Sequence, residues 1–310
     1  MKHIIPFLVA LTPLGVMAQT YPSTLTLTSA FGAPVEMILV EAGSFYMGSQ
    51  NTDATGINYN PNLPSYNEDE GPVHRVTMSA FYISKYEVTQ EVWCDVMGGN
   101  VDPDSANYAK GFVSYYLAEN FVAYAPYTYG NIPTGGTIAL PTEEQWEYAA
   151  RGGNSSDMYV YAGSNSADNV AQWGGVTKVP TVVGQKQPNS LGIYDMSGNA
   201  REWTQSDYIY YEGNTYTQRE LKYVAKVQRG GDIGSRSTNL VSVSNRSYSQ
   251  LNLCSPEFGL RFVINLPQAE TSLSVPEGEA VRPMLVISGG GMLVLLPDGR
   301  RYDMMGRLVR

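Results

Sequence analysis

Imidazoles and thiols carry most metal, nucleophilic and acid–base chemistry near neutral pH, and this sequence has two of each: His3, His74, Cys94 and Cys254. So few rule out sites built around several imidazoles, such as a histidine-rich metal centre. The two cysteines allow at most one disulfide and no structural zinc cluster. Carboxylates such as Asp207 and Glu257 are left as acid–base candidates, beside the commoner role of solvated loop charges. A net charge of −9 over 310 residues argues against a nucleic-acid backbone as partner. With 16% charged residues, 31 glycines and 18 prolines, a coiled coil, a helical solenoid and a disordered tail are disfavoured. That composition suits a loop-rich α+β or β domain.

The elements that would position any site begin with an N-terminal signal. Lys2 and His3 precede an apolar run from Ile4 to Val16, and Ala18 offers a small residue before a cut. This is the pattern of a secretory signal peptide over 1–18. Its removal takes the net charge from −9 to −10. The chain is therefore expected to be exported and periplasmic, cell-surface or extracellular. No later segment approaches the ~18 consecutive apolar residues of a membrane span. Residues 19–34 read as a polar lead-in. Strands are expected over Val35–Met47 and His74–Ile83, separated by a long loop at 50–72. A helix over 89–97 would be capped by Thr89 and stopped by Gly98, and a second is expected at 114–124. In Leu140–Gly153, Thr142 and Gln145 form a capping box, Glu143 and Glu144 sit at the positive helix end, and Arg151 sits at the negative one. Residues 154–200 lack periodicity, so something such as a metal is expected to hold them in place. Strand-like pieces fill 224–264. A linker at 267–282 leads to a β-hairpin tail at 283–310, marked by Asp298-Gly299.

Six ordered segments resemble the formylglycine-generating enzyme, or sulfatase-modifying factor, family. They are Val40–Gly48, Phe81–Gln90, Leu140–Gly153, Leu191–Trp203 (LGIYDMSGNAREW), Arg229-Gly-Gly231 and Phe258–Phe262 (FGLRF). Together they place a domain over 35–266. The resemblance implies a loop-rich α+β fold of the C-type lectin kind. It also implies a cysteine pair that binds copper(I) and oxidises a substrate cysteine, at positions occupied here by Ser235 and Leu240. Soft copper(I) wants thiolates, and neither residue is one. A second branch of the family uses iron held by histidines, which His74 alone cannot supply. No copper or iron is therefore expected, and catalysis of the family's kind is not expected.

The resemblance further implies calcium at Asp195, Gly198, Ala200 and Glu202, two carboxylates and two carbonyls suited to a hard cation. The alternative is a self-capped turn in which Glu202 pairs with Arg201 or an amide. Between the last two motifs runs an acid-free stretch, 235–252, rich in Ser, Asn, Arg and Tyr. From it Arg236, Asn245, Arg246 and Tyr248 are expected to form a shallow peptide- or glycan-binding surface. The alternative is a polar strand-and-turn segment that satisfies its own backbone. The tail around Tyr302–Val309 resembles part of the C-terminal β modules of exported Bacteroidetes proteins. The leading functional expectation is an exported, non-catalytic binding or structural module. An enzyme with cysteine-independent chemistry, or an accessory factor for a partner enzyme, are the alternatives.

Overall fold

Side-chain caps start the three longer helices where the sequence places them. In this computed structural model, which describes residues 20–29, 32–63, 69–214 and 223–267 and four strand segments beyond, the Thr89 hydroxyl accepts from the Val92 amide at 3.2 Å. The Ser114 hydroxyl caps Leu117 in the same way, and the Thr142–Gln145 capping box closes reciprocally at 3.1 and 2.9 Å. In chain order the elements are β1 (Thr24–Ser29), β2 (Val35–Val40), β3 (Gly43–Met47), β4 (His74–Met78), β5 (Phe81–Ser84) and α1 (Gln90–Met97). They continue with α2 (Tyr115–Thr128), β6 (Tyr129–Gly130), β7 (Thr137–Ala139), α3 (Glu143–Ala150), α4 (Ala167–Val170), β8 (Arg201–Asp207) and β9 (Ala225–Arg229). After these come β10 (Ser247–Gln250), β11 (Phe258–Gly259) and β12 (Val263–Asn265).

One six-stranded sheet, in the order β6-β1-β2-β5-β12-β7, organises the unit. Its middle strands are buried on both faces, so β2 shows a near-continuous apolar run. Met37 and Leu39 face a core shared with α1 and α2, where Trp93 and Phe121 stack with centroids 5.6 Å apart. Ile38 and Val40 face the other core, which contains Trp146, Ala149 and Ala150 of α3. A four-stranded sheet, β10-β9-β8-β11, carries the later motifs, with β11 parallel to β8.

Several expected boundaries shift. The single strands expected at 35–47 and 74–83 each divide in two, and β3 and β4 pair with each other away from the main sheet. The break after β2 exposes Glu41 and Ala42, whose carbonyls are held by Tyr148 Oη and Asn154 Nδ2 at 3.0 Å each. The polar lead-in contains β1, whose Leu27 is fully buried. Alternating Thr and Leu at 24–28 was the signal for it. The irregular stretch at 154–200 is held by side-chain amides. Asn189 donates to the carbonyl of Ala149 at 2.7 Å and accepts from the amides of Leu191 and Ile193. Asn199 accepts from the Thr181 amide at 2.9 Å, and Ser197 accepts from Ala162.

Residues from Ala269 onward form a separate unit. Its described strands are β13 (Met284–Ser288), β14 (Gly291–Leu295), β15 (Arg301–Asp303) and β16 (Leu308–Val309), paired antiparallel in sequence order. It is thus a four-stranded meander in place of the expected hairpin. The expected signal peptide at 1–18, nearly all of the linker at 267–282 and Asp298-Gly299 lie outside the described residues.

Candidate functional site

The motifs of the second half converge on a charged interior. Helix α3 is buried at every position but Glu144, so Glu143 and Glu147 point into the domain and need cationic partners. Arg229, at the end of β9 and fully buried, pairs with both: Nη1 reaches Glu143 Oε1 at 3.1 Å and Nη2 pairs with Glu147 Oε2. It also donates to the carbonyls of Val243 and Ser244. Arg151 closes on Glu147 Oε1 at 2.7 Å, one turn along the helix. Burial alone would raise the Glu147 carboxyl, but Arg151, Arg229 and the Gly48 amide together hold it below the usual range.

Two of the predicted ligand-surface residues belong to this interior, which corrects the expectation. Arg246 is buried; Nε and Nη2 clasp the Glu143 carboxylate at 2.6 and 2.9 Å, and the remaining donors reach the carbonyls of Asp69 and Ile209. Asn245 is buried beside Glu70. The two buried glutamates of the helix are met by three guanidiniums, those of Arg151, Arg229 and Arg246, and the apparently surface-like stretch supplies the last. Tyr248 is half-buried and stacks on Tyr208 with centroids 4.2 Å apart. Of the four, Arg236 is exposed. The four do not make one surface.

The 195–202 motif is likewise drawn inward. Asp195 is buried and accepts from the Gly184 amide and from Gln172 Nε2. Glu202 is fully buried; its Oε2 accepts from Trp146 Nε1 at 2.6 Å and from Arg261 Nε at 2.7 Å. The Ala200 amide donates to Glu87 Oε1 at 2.7 Å. Glu202 Oε1 is the one carboxylate oxygen of the motif without a hydrogen-bond partner, and calcium takes about six to eight oxygens. Among the described residues no three His, Cys, Asp or Glu side chains gather in metal-ligating geometry. One guanidinium, that of Arg261, thus stands against the two carboxylates of the motif, and Glu202 Oε1 is the oxygen left open to a cation. Arg201, the partner anticipated for Glu202, pairs with Asp232 instead. The sequence reading missed Arg261, although its place in the FGLRF motif was visible.

Around Ser235 and Leu240, where the resemblance puts a cysteine pair, the chain makes a tight turn. Gly231 has φ +67°, and a Cβ there would meet the Leu240 carbonyl oxygen at 2.2 Å. Ser235 is buried, and its hydroxyl accepts from the Asp232 amide at 3.1 Å. Leu240 offers no donor. Cys94, half-buried on α1, and Cys254, exposed in a loop, are both free thiols. His74, at the start of β4, donates from Nδ1 to the Pro72 carbonyl at 2.9 Å. The carboxylates considered as acid–base groups are in ion pairs: Asp207 with Lys226 at 2.9 Å, and Glu257 with Lys178 at 3.0 Å. Burial raises the Glu257 carboxyl, but Ser255, its own backbone amide and Lys178 bring it below the ordinary value. Such a group is a poor base at neutral pH.

A sequence model of the sulfatase-modifying factor enzyme 1-like domain matches residues 28–266. The chain belongs to this family. Its relatives include the chaperone protein LppX of Paenibacillus barcinonensis, 30% identical over 275 residues, covering 74% of this chain and 89% of that protein. An inactive Cα-formylglycine-generating enzyme 2 of Bos taurus is 35% identical over 80 residues, 22% of this chain and 27% of that protein. Among solved structures, Treponema denticola variable protein 1 superposes with a TM-score of 0.59 at 22% identity, covering 78% of this chain and 99% of that one. That likeness establishes the loop-rich C-type-lectin-like fold expected from the sequence. In this member of the family the shared motifs serve as the arginine–glutamate interior, while the cysteine positions hold Ser235 and Leu240.

Proposed function

We propose that this chain is an exported, non-catalytic member of the sulfatase-modifying factor family that acts as an accessory or binding module for a peptide or glycan. The observation that carries the reading is the turn at 231–240. Ser235 is spent on the Asp232 amide and Leu240 is apolar, so no dithiol stands where the family's oxidation chemistry needs one. Relatives named as a chaperone and as an inactive enzyme support an accessory role, and the residue pattern of 1–18 supports export. Arg236 and the Tyr208–Tyr248 stack remain as the accessible candidates for ligand contact.

The test is direct. The purified protein is incubated with a cysteine-containing sulfatase peptide, copper(I) and oxygen, and the peptide is weighed by mass spectrometry. No conversion above the enzyme-free control is expected. Conversion above that control would return the protein to the oxidoreductases.

A further inference from the structure

The inner face of α2 buries Tyr115, Ala118, Phe121 and Ala125. Its outer face carries tyrosine where a solvated helix ordinarily carries charge: Tyr116 and Tyr124 are each 52% exposed, and Tyr127 is 89% exposed. Tyr116, Asn120, Ala123 and Tyr127 follow the i, i+4, i+7, i+11 spacing of one helical line, with Tyr124 beside it. At 1.5 Å per residue Tyr116 and Tyr127 stand about 16 Å apart, and the small Ala123 keeps the space between them low. Among the described residues none of the three tyrosines makes a ring contact or a side-chain hydrogen bond. Phe112, at the amino end of the same helix, is also 52% exposed, and it holds φ +58°. That conformation is an outlier for a bulky side chain, and such strain collects at ligand-binding positions. Four rings turned half or more to water add little to the core.

The chemistry of this row selects its partner. Helix α2 has no Lys, Arg or His and one acid, Glu119, in a chain of net charge −9, so nothing on this face draws an anion. Tyrosine offers a flat apolar ring and a hydroxyl that both donates and accepts. Those two features match a sugar ring, which is apolar on its C–H face and hydroxylated at its edge. The Asn120 amide adds donors and an acceptor. The three exposed tyrosines present roughly 300–500 Å², below the ~800 Å² that each partner gives to a stable protein complex. Peptide recognition uses a groove or a free sheet edge, whereas this is the convex side of a helix. A row this long and this narrow fits a short oligosaccharide lying along the helix.

We propose that the outer face of α2 binds a neutral oligosaccharide, whose sugar rings stack on Tyr116, Tyr124 and Tyr127 while Asn120 hydrogen-bonds their hydroxyls. The proposal rests on the reading of the chain as a binding module, and it names a surface beyond Arg236 and the Tyr208–Tyr248 stack.

Cellohexaose, laminarihexaose and mannohexaose are the probes, titrated calorimetrically into the full chain at neutral pH. Hexagalacturonate serves as the anionic control and decaproline as the peptide control. Saturable binding of at least one neutral hexasaccharide is expected, with both controls at least tenfold weaker. Tyr116→Ala and Tyr127→Ala are each expected to weaken it about tenfold at an unchanged melting temperature, because both side chains are exposed. Phe112→Asn removes a ring but keeps a residue that tolerates positive φ, and it is expected to weaken binding without loss of stability. No saturable binding of any of the three at several millimolar, equal binding of either control, or full affinity in the folded Tyr116→Ala/Tyr127→Ala double variant would each overturn the proposal. Full affinity in the double variant would leave the binding-module reading standing, whereas conversion of the sulfatase peptide would sink that reading and not this site.

Discussion

Replacing Glu147 by glutamine tests the charged interior. The carboxylate is fully buried and receives three donors: the Gly48 amide at 2.9 Å, Arg151 Nε at 2.8 Å and Arg229 Nη2. Glutamine keeps one acceptor but turns an N–H toward a guanidinium, leaving Arg229 with Glu143 as its remaining anionic partner. Breaking a buried pair by removing one partner costs about 3–5 kcal/mol. For a domain of this size each kcal/mol moves the melting temperature by about 2–4 °C, so a fall of about 6–20 °C is expected. Urea unfolding followed by tryptophan emission reads the loss, because Trp146 sits one residue away and is fully buried. The pH dependence adds a second criterion. The Glu147 carboxyl is lowered in the folded state, so its stabilisation is present above the ordinary value of 4.5 and is lost as pH falls through the lowered one. The gap between wild type and Glu147→Gln should therefore narrow on acidification. A loss under ~1 kcal/mol at neutral pH, or a gap that stays constant into strong acid, would refute the assignment of Glu147 as the anchor of this network.

Arg246→Met should behave as a core lesion, losing about 3–5 kcal/mol in the same urea assay. Tyr248→Ala removes one stacked ring and should cost far less, about 0.5–1.5 kcal/mol beyond lost burial. Equal losses would mean that Arg246 is not committed to Glu143. Millimolar calcium is expected to raise the melting temperature and a chelator to lower it, since Arg261 and Trp146 both serve Glu202 Oε2 and leave Oε1 open to the ion. The rise should vanish in Glu202→Ala and weaken in Asp195→Asn, and a melting curve unchanged by either reagent would refute the assignment.

Much of the local structure was legible in the sequence because it is decided within a few residues. Thr89 and the Thr142–Gln145 box cap their helices through bonds three residues long, which spacing alone reveals. The fold was legible for another reason. Six motifs in fixed order identify the family even where elements are short. The absence of a cysteine pair could be counted directly, with Ser235 and Leu240 standing in its place.

What a charged side chain does was settled by the tertiary structure alone. Arg246 sits in a Ser- and Asn-rich stretch that reads as surface, yet its partner Glu143 lies 103 residues earlier. Glu202 meets Arg261 across 59 residues, and Glu87 meets Ala200 across 113. Composition measures local polarity, whereas burial depends on which segments pack together, and a buried charge survives where distant partners neutralise it. A cavity of about 390 Å³ whose lining includes Val35, Glu87 and Phe262 has the same origin. Its wall gathers residues from 33–36, 84–92, Asn107, 182–183 and Phe262, segments that no sequence window joins. The sequence by itself thus determined the family, the caps and the missing dithiol; the packing of remote segments decided which charged side chains are buried and which partners they meet.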